Sequence, residues 1–351
     1  MANNELNQAQ YELVEHELKR WRGYNRQWSE RLPEIGQTPK EAIWKKNKAT
    51  LWYYPSPNKR FSVPLYLIYS LVNQPSILDL GPNMSMIEAF GKEGYDVYLI
   101  DFGIPGYEDK DMTLDDYFSQ YIEPASERVL AHSNAKEITV IGFCLGGTLA
   151  TMFAAITKVP IKNLVLLATP VDFSQTPVFD EWAKAIKDGS FNMEEIIDAM
   201  GLIPAQVIKA GMRLITSPLY FSPQATLLQK SYDDSHVERW RRINMWAEGH
   251  IPLPGATLKQ LLNDLGKENK LIRNKQMINN KRASLKNIKA NLLTVATAYD
   301  RLVPAEQIKP IMNHISSKDK TYLEVQGGHA SLALTGTIPD YLSNWLAKRS
   351  N

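Results

Sequence analysis

The sequence predicts an α/β fold built on a mostly parallel sheet, with a helix-rich segment inserted late in the chain. Short apolar runs of the kind that are buried on both faces of a parallel sheet recur along the chain, and helix-like segments separate them. Strand-then-helix order favours a sheet wrapped by helices. Between about Asp172 and Asn287 the apolar runs stop, and helical sequence punctuated by prolines takes their place.

Size and composition suit one large domain of this class. The chain has 351 residues, of which 44% are hydrophobic and 22% are charged, as is ordinary for a globular protein. Its 40 basic residues against 38 acidic ones give a formal charge of +2, which does not favour nucleic acid as a partner. The single cysteine, Cys144, excludes an intrachain disulfide framework. No signal-peptide pattern and no bilayer-length apolar window is present, so we expect a soluble cytoplasmic protein.

The elements are predicted in chain order. Residues 1–50 are predicted as an N-terminal helical segment, with an amphipathic helix over 8–31 that is a candidate docking element and a second helix over 40–49. Strands are predicted at 63–69, 95–100, 138–141, 164–167, 291–296 and 321–325, and a last helix at 339–348. We therefore assign the core to residues 51–173 and 288–351, and an inserted cap subdomain to residues 174–287.

The segment 138–150 indicates where the chemistry lies. A β-like run leads into Gly142-Phe143-Cys144-Leu145-Gly146, and small residues and a helix follow. This order is typical of a nucleophile elbow, here with cysteine in place of the usual serine. The two glycines are needed because the strained turn leaves no room for side chains beside the nucleophile. A helix N-terminus stabilises a thiolate, so Cys144 is predicted to be a nucleophile rather than an inert buried thiol.

A thiol nucleophile needs a base, and position selects one of the six histidines. His329 follows two glycines and the last predicted strand, at the carboxyl edge of the sheet where loops carry the sites of open α/β folds. His16 and His314 fall in helix-like segments and are expected on the surface. His236 and His250 fall in the cap and are candidates for the substrate side. His329 is therefore the predicted base.

The third catalytic group is expected to be an acid that follows a late strand and precedes the histidine. Asp300 meets both conditions. The order Cys144, Asp300, His329 is that of an α/β-hydrolase triad. Asp172 is the competing acid, but a turn-capping role explains it as well. The sequence therefore predicts an α/β-hydrolase fold with Asp300 as the triad acid.

Backbone amides are predicted to stabilise the oxyanion. One is the amide of Leu145, the residue after the nucleophile, and the other lies in the strand-end segment near Val72. The sequence has no Gly-x-Gly-x-x-Gly opening, no P-loop and no cluster with metal-ligand spacing, so no cofactor and no metal site is expected. A basic stretch over 267–289 is interpreted as a solvated helix face.

Matches spread along the chain resemble one family. The chain is similar to the catalytic subunit of polyhydroxyalkanoate synthases of the short class III/class IV type, over roughly residue 36 to the C-terminus. Phe102, Arg301 and Ala256 depart from the residues usual in that family, which are tryptophan, histidine and glutamate. The matching segments are the cysteine box at 142–147, then 69–80, 96–106, 169–173, 285–291 and Gly327-Gly328-His329.

The resemblance implies an activity and partners. Such an enzyme polymerises (R)-3-hydroxyacyl-CoA, with 3-hydroxybutyryl-CoA as the expected substrate, through an acyl group bound to Cys144, and it releases CoA. It also implies a smaller partner subunit, a growing polyester chain and location at polyester granules. The resemblance leaves open whether the protein forms a homodimer. It also leaves open whether Asp300 orients His329 or activates the incoming hydroxyl.

Two other functions remain in view. A thioesterase or esterase would use the same three residues and differ only in admitting water to the acyl-enzyme. A granule-associated scaffold that retains the fold but not the activity is the second, and the presence of Cys144, Asp300 and His329 argues against it.

Overall fold

The computed structural model describes residues 2–174, 193–216, 222–334 and 336–351. Its centre is an eight-stranded sheet in which the strands stand side by side in the order β1, β2, β4, β3, β5, β6, β7, β8. In that order, every neighbouring pair from β4 through β3, β5, β6 and β7 to β8 is parallel. The β1–β2 and β2–β4 pairs are antiparallel. The strand bounds are β1 Glu41–Lys46, β2 Ala49–Tyr54, β3 Leu65–Ile68, β4 Val97–Asp101, β5 Ile138–Phe143, β6 Ile161–Leu167, β7 Asn291–Thr297 and β8 Lys320–Val325.

Helices cover the sheet and form most of the described part of the inserted segment. Two π-helical stretches, Tyr117–Ile122 and Leu261–Lys267, continue helices α3 and α10. The α-helices are α1 Ala2–Ser29, α2 Met86–Glu93, α3 Leu114–Asp116, α4 Glu123–Ser133, α5 Leu145–Ile156, α6 Met193–Met200, α7 Ala205–Thr216, α8 Ser222–Lys230, α9 Asp234–Glu248, α10 Gly255–Gln260, α11 Ala305–Ile308 and α12 Asp340–Ala347.

The core lies on both faces of the sheet, as a parallel sheet requires. Strand β3 shows the arrangement, because Tyr66 and Ile68 belong to one hydrophobic cluster and Leu65 and Leu67 to the other. Side chains in a strand alternate between faces, and all four of these are buried. Burial of each such side chain stabilises the fold by about 1.5–3 kcal/mol, so the strand ends near Ile68 are held firmly in place.

The predicted strands at the centre of the sheet are confirmed, but the N-terminal prediction is wrong in part. The helix predicted over 40–49 is instead strand β1, so the helical segment predicted for residues 1–50 ends at Ser29 and the sheet begins at Glu41. Strand β1 pairs with β2, which the sequence analysis also missed. Edge strands carry lysines that discourage pairing with other chains, and Lys45 and Lys46 gave β1 its helix-like, charged pattern.

The inserted segment is helix-rich in the residues that the structure describes, with a correction. Two short pairs of strands occur where no strand was expected: Leu202–Ile203 pairs with Leu253–Pro254, and Met277–Ile278 pairs with Lys281–Arg282. The part of the predicted cap at 175–192 and 217–221 lies outside the described residues. None of the described helices is both long and apolar enough to cross a bilayer.

Candidate active site

Cys144 stands at the sharp turn between the end of β5 and the start of α5. Its backbone has φ 52° and ψ −129°, a conformation that L-residues other than glycine rarely adopt. The Cys144 amide donates to the Leu167 carbonyl of β6 at 3.0 Å, and its carbonyl accepts from the Gly147 amide at 2.9 Å. These bonds hold the strained turn, which places the thiol at the carboxyl edge of the sheet with its side chain only partly exposed.

The glycines around Cys144 are required by close packing. A Cβ atom on Gly142 would lie 2.3 Å from the Gly147 Cα atom, and one on Gly146 would lie 2.3 Å from the Ile68 carbonyl oxygen. A Cβ on Gly147 would meet the Thr169 hydroxyl at 1.8 Å. The first turn of α5 therefore presses directly against the end of β3, which brings the residue after the nucleophile close to the segment that follows β3.

His329 and Asp300 meet at the same edge from two separate loops. The His329 Nδ1 atom lies 2.7 Å from the Asp300 Oδ2 atom, and the imidazole also hydrogen-bonds the Cys144 side chain. The other carboxylate oxygen of Asp300 accepts the Leu302 and Val303 amides, each at 2.9 Å. The Asp300 side chain is completely covered. The structure thus brings together the three residues predicted for catalysis.

The electrostatics of this cluster favour a charged histidine. Burial acts to lower the pKa of His329, but the negative charge of Cys144 as a thiolate and the hydrogen bonds to Asp300 and Cys144 outweigh it and raise that pKa to about 10. An imidazolium beside a thiolate is the arrangement that activates cysteine nucleophiles. His329 can therefore hold a proton within hydrogen-bonding reach of the Cys144 side chain.

The competing acid Asp172 and His16 lie elsewhere. Asp172 accepts hydrogen bonds from the Ser174 amide and from the Asn269 side chain, at 2.9 and 2.8 Å. Burial acts to raise the pKa of Asp172, but these bonds dominate and lower it. Asp172 thus ties the end of the β6 loop to the inserted segment and makes no bond to His329 in the part of the chain that is described. His16 stacks against Tyr232, with ring centroids 4.5 Å apart.

The two predicted oxyanion donors differ in their availability. Leu145 is the first residue of α5, so its amide has no carbonyl partner within that helix. The Val72 amide approaches the Ser70 hydroxyl at 3.4 Å, a long and weak hydrogen bond. The Val72 carbonyl accepts the Ile251 amide at 3.4 Å, so this segment also contacts the inserted segment. Among the described residues, the Val72 amide is therefore held by no hydrogen bond stronger than this one.

Helix α9, which belongs to the segment predicted as a cap, packs on the same hydrophobic cluster as the nucleophile. Ile243 and Trp246 of α9 pack against the hydrophobic cluster that Cys144 borders. Tyr69, which follows β3, stacks on Phe143 with ring centroids 5.9 Å apart. Burial, and secondarily the charge of a Cys144 thiolate, raises the pKa of Tyr69 far above its usual range. The position of Tyr69 after a strand was a usable signal, whereas the sequence of α9 did not indicate which of its side chains pack on this cluster.

A cavity of about 140 Å³ lies beside Tyr69, at the carboxyl ends of β3 and β4. Its walls include Tyr69, Asn73, Phe102, Tyr117 and Ile251, but not Cys144. The backbones of Asn73 and His250 also form an isolated β-bridge, and burial lowers the pKa of His250. Tyr69 therefore borders both this cavity and Cys144.

Fold and site together define the class of protein. The family model of the alpha/beta hydrolase fold matches residues 63–334, and the chain belongs to that family. A monoacylglycerol lipase from Paleococcus ferrophilus shares the fold, with a TM-score of 0.50 and 15% identity over 83% of this chain and 97% of the lipase.

Sequence relatives narrow the class. A protein of Haloferax mediterranei named "Poly(3-hydroxyalkanoate) polymerase subunit PhaC" is 32% identical over 90% of this chain, which spans 65% of that protein's length. A protein of the same name from Thiocystis violacea is 27% identical over 97% of this chain and 96% of its own length. These relatives confirm the resemblance to polyhydroxyalkanoate synthases that the sequence motifs indicated.

Proposed function

We propose that the protein is a poly(3-hydroxyalkanoate) polymerase that works through an acyl group on Cys144. The observation that carries the proposal is the contact of Cys144 with a histidine that itself bonds a buried aspartate, in a chain similar along nearly its whole length to polymerase subunits. The substrate is a (R)-3-hydroxyacyl-CoA, with 3-hydroxybutyryl-CoA as the first candidate. The products are a polyester and free CoA.

The first step loads the enzyme. His329 holds the proton of Cys144, and the thiolate attacks the thioester carbonyl of the acyl-CoA. The amides of Leu145 and Val72 donate to the oxyanion. Collapse of the tetrahedral intermediate breaks the bond to the CoA sulfur, which leaves as a thiol after taking the proton from His329. One thioester replaces another, so loading is nearly balanced in energy and the acyl group stays activated, whereas a serine would form a less reactive oxyester.

The second step extends the chain. The 3-hydroxyl of another hydroxyacyl unit attacks the Cys144 thioester, its proton passes to a base, and an ester bond forms while the thiolate is regenerated. Asp300 either orients His329, which is then the base, or activates the hydroxyl directly. Both Asp300 oxygens are occupied and the side chain is covered, which supports the orienting role in this arrangement of the loops.

Partners and location follow from the same proposal. The relatives are named as subunits, which supports a smaller partner subunit, and the product implies contact with a growing polyester chain at a granule surface in the cytoplasm. Residues 174–287 act as a cap over Cys144. The packing of Ile243 and Trp246 of α9 on the cluster that Cys144 borders supports water exclusion, which a polymerase needs more than a thioesterase does.

The test is incubation of the purified protein with 3-hydroxybutyryl-CoA, with and without a partner subunit, while free thiol and polymer are followed together. Polymer that accounts for most of the released CoA supports the proposal. CoA release matched by free 3-hydroxybutyrate would instead establish a thioesterase, and release of neither product would favour a scaffold. A Cys144→Ala sample is the control, because it keeps the fold and lacks the nucleophile.

A further inference from the structure

The predicted base, His329, has a third neighbour besides Asp300 and Cys144. The rings of His329 and Phe143 lie with their centroids 5.3 Å apart, and their planes are tilted by 59°. Phe143 is the last residue of β5 and is only 4% exposed. It therefore meets the imidazole from the end of a buried strand, whereas Asp300 and His329 themselves lie in the loops that follow β7 and β8.

Two hydrogen bonds leave one motion of the imidazole free. Its Nδ1 atom lies 2.7 Å from the Asp300 Oδ2 atom, and the ring also hydrogen-bonds the Cys144 side chain. Two bonds define a line, and the ring can still rock about that line because hydrogen bonds weaken steeply only below about 120°. A contact away from the line is needed to fix the plane. Among the described residues, Phe143 is the aromatic side chain that supplies such a contact.

Phe143 is itself packed against a second ring. The ring of Tyr69 is nearly parallel to that of Phe143, with an interplanar angle of 8° and centroids 5.9 Å apart. Parallel, offset rings at such a separation attract each other. Tyr69 is 3% exposed and follows β3 directly, and β3 pairs with β5. The ends of two adjacent strands therefore fix both rings, which we call the aromatic pair.

Helix α9 of the proposed cap packs on the aromatic pair. Trp246 packs on the hydrophobic cluster that contains both rings, and its side chain hydrogen-bonds that of Tyr69. The Trp246 carbonyl accepts the Asn73 side-chain amide at 3.1 Å, which ties the end of α9 to the segment after β3. Contacts thus run without a break from Trp246 through Tyr69 and Phe143 to His329.

We infer that Phe143 is a positioning residue for His329 and that Tyr69 and Trp246 support it. The Phe143 ring holds the imidazole in the plane in which it bonds Asp300 and Cys144 together. Displacement of α9 would take Trp246 away from Tyr69, so the base is held best when the proposed cap is closed. The inference rests on the role of His329 as the base in the proposed function.

The test uses three substitutions in the full-length protein. Phe143→Leu removes the ring but keeps an apolar side chain, and Phe143→Tyr keeps the ring. Phe153→Leu is the matched control, because Phe153 is likewise buried, belongs to the other hydrophobic cluster, and has its ring beside Tyr66 rather than His329. Thermal unfolding of each variant shows how much of an effect comes from lost stability.

Alkylation of Cys144 by iodoacetamide is the first measurement, because this is the single thiol of the chain. It needs neither acyl-CoA nor polymer, so its outcome does not depend on whether the enzyme is a polymerase or a thioesterase. Near neutral pH, Phe143→Leu should slow alkylation about tenfold, towards the rate of His329→Gln, because the base is misplaced. Phe143→Tyr and Phe153→Leu should react at close to the wild-type rate.

Nuclear magnetic resonance of the His329 ring is the second measurement, because loss of core packing alone would not change the titration of this one histidine. Burial acts to lower the pKa of His329, but the charge of a Cys144 thiolate and the hydrogen bonds to Asp300 and Cys144 raise it to about 10. A rocking ring loses part of these bonds. In Phe143→Leu the His329 signal, assigned by its absence from His329→Gln, should therefore titrate about one pH unit lower.

The same titration tests the link to α9. Trp246→Leu should shift the His329 signal in the same direction as Phe143→Leu, but by less. Trp246→Leu combined with Phe143→Leu should shift it no further than Phe143→Leu alone, because both substitutions act on one ring contact. Additive shifts would overturn the support by Trp246.

The reference variants separate the ways in which the inference can fail. Wild-type reactivity of Phe143→Leu beside slow His329→Gln would show that His329 acts without Phe143. Equal losses in Phe143→Leu and Phe153→Leu would assign the effect to core packing and overturn the positioning role. Wild-type reactivity of His329→Gln would refute the role of His329 in the proposed function, and the inference with it.

Discussion

The two sides of the candidate site are held in place by different means. Cys144 is positioned by its own neighbours in the chain, because three glycines allow the first turn of α5 to press against β3 and β6. His329 and Asp300 come from loops 29 residues apart, and a hydrogen bond of 2.7 Å joins their side chains. The loops themselves share two backbone hydrogen bonds, from the Ala298 amide to the Val325 carbonyl at 2.9 Å and from the Tyr299 amide to the Gly327 carbonyl at 3.0 Å. The nucleophile is thus placed by close steric packing, and the base is placed by hydrogen bonds between two loops.

This difference determines how each side responds to substitution. Steric crowding against backbone atoms cannot relax without moving strands, so changes beside Cys144 should affect folding and activity together. A side-chain hydrogen bond can be lost while the loops stay where they are, so changes at Asp300 should affect activity much more than stability. The predictions below test this contrast.

The largest effect is expected for Cys144 itself. Cys144→Ala should lower acyl transfer by about 10⁴-fold or more, because the covalent route is removed. Cys144→Ser should retain only a small residual activity, since a hydroxyl is far less ionised than a thiol near neutral pH. CoA release and thermal unfolding are the measurements. Turnover by Cys144→Ala at the wild-type rate would refute the assignment of the nucleophile.

Asp300→Asn should reduce activity by about 10²–10⁴-fold with little change in stability. If Asp300 only orients His329, single-turnover CoA release and steady-state polymer formation fall equally. If it activates the incoming hydroxyl, polymer formation falls further than the first acylation. An unchanged rate in both assays would exclude Asp300 as the acid and return attention to Asp172.

A pair of glycine substitutions compares the two sides directly. Gly146→Ala should destabilise the protein by about 2 kcal/mol or more, because its Cβ would lie 2.3 Å from the Ile68 carbonyl oxygen. Gly328→Ala is the matched control beside His329. Its Cβ would meet nothing within 4 Å and its φ of −106° suits alanine, so its stability should change by less than about 1 kcal/mol. Equal destabilisation by both substitutions would contradict the proposed difference between the Cys144 side and the His329 side of the site.

The raised pKa of His329 predicts a pH dependence of stability. A histidine whose pKa is raised by folding contributes stability that is complete below its ordinary value of 6.5 and is lost as the pH rises towards about 10. Urea unfolding of the wild type should therefore show stability falling across this window. His329→Gln and Cys144→Ala should each flatten the fall, since each removes one member of the pair. A fall of the same slope in all three proteins would disprove the ion pair.

The smallest expected change is in the proposed cap. A nonhydrolysable acyl-CoA analogue should alter hydrogen exchange around Trp246 of α9, because the substrate and the polymer must both reach the sulfur past the proposed cap. Two further positions in the predicted cap, Phe179 and Leu219, lie outside the described residues. Exchange near β5 is the internal control and should not change. Unchanged exchange in α9 of an active enzyme would show that this part of the proposed cap is rigid.

Local patterns predicted the centre of the fold well. Strands β3 to β8 were found because each is an apolar run bounded by turn residues, and the elbow was found because glycine spacing reports directly on backbone crowding. The prediction of a helix over 40–49 was wrong because the charged residues of edge strand β1 discourage pairing with other chains and do not form the exposed face of a helix. The hydrogen bond between Tyr69 and Trp246 could not be predicted, since it joins residues more than 100 positions apart.

The backbone at Cys144 has a consequence for the history of such a chain. Its φ of 52° and ψ of −129° cost about 1–3 kcal/mol for any residue with a Cβ atom, and glycine alone escapes that cost. A mutation to glycine at this one position would yield a protein that folds more firmly and catalyses nothing. Selection for stability alone would therefore discard the sulfur, so a cysteine kept in this conformation is evidence of continuing demand for its chemistry.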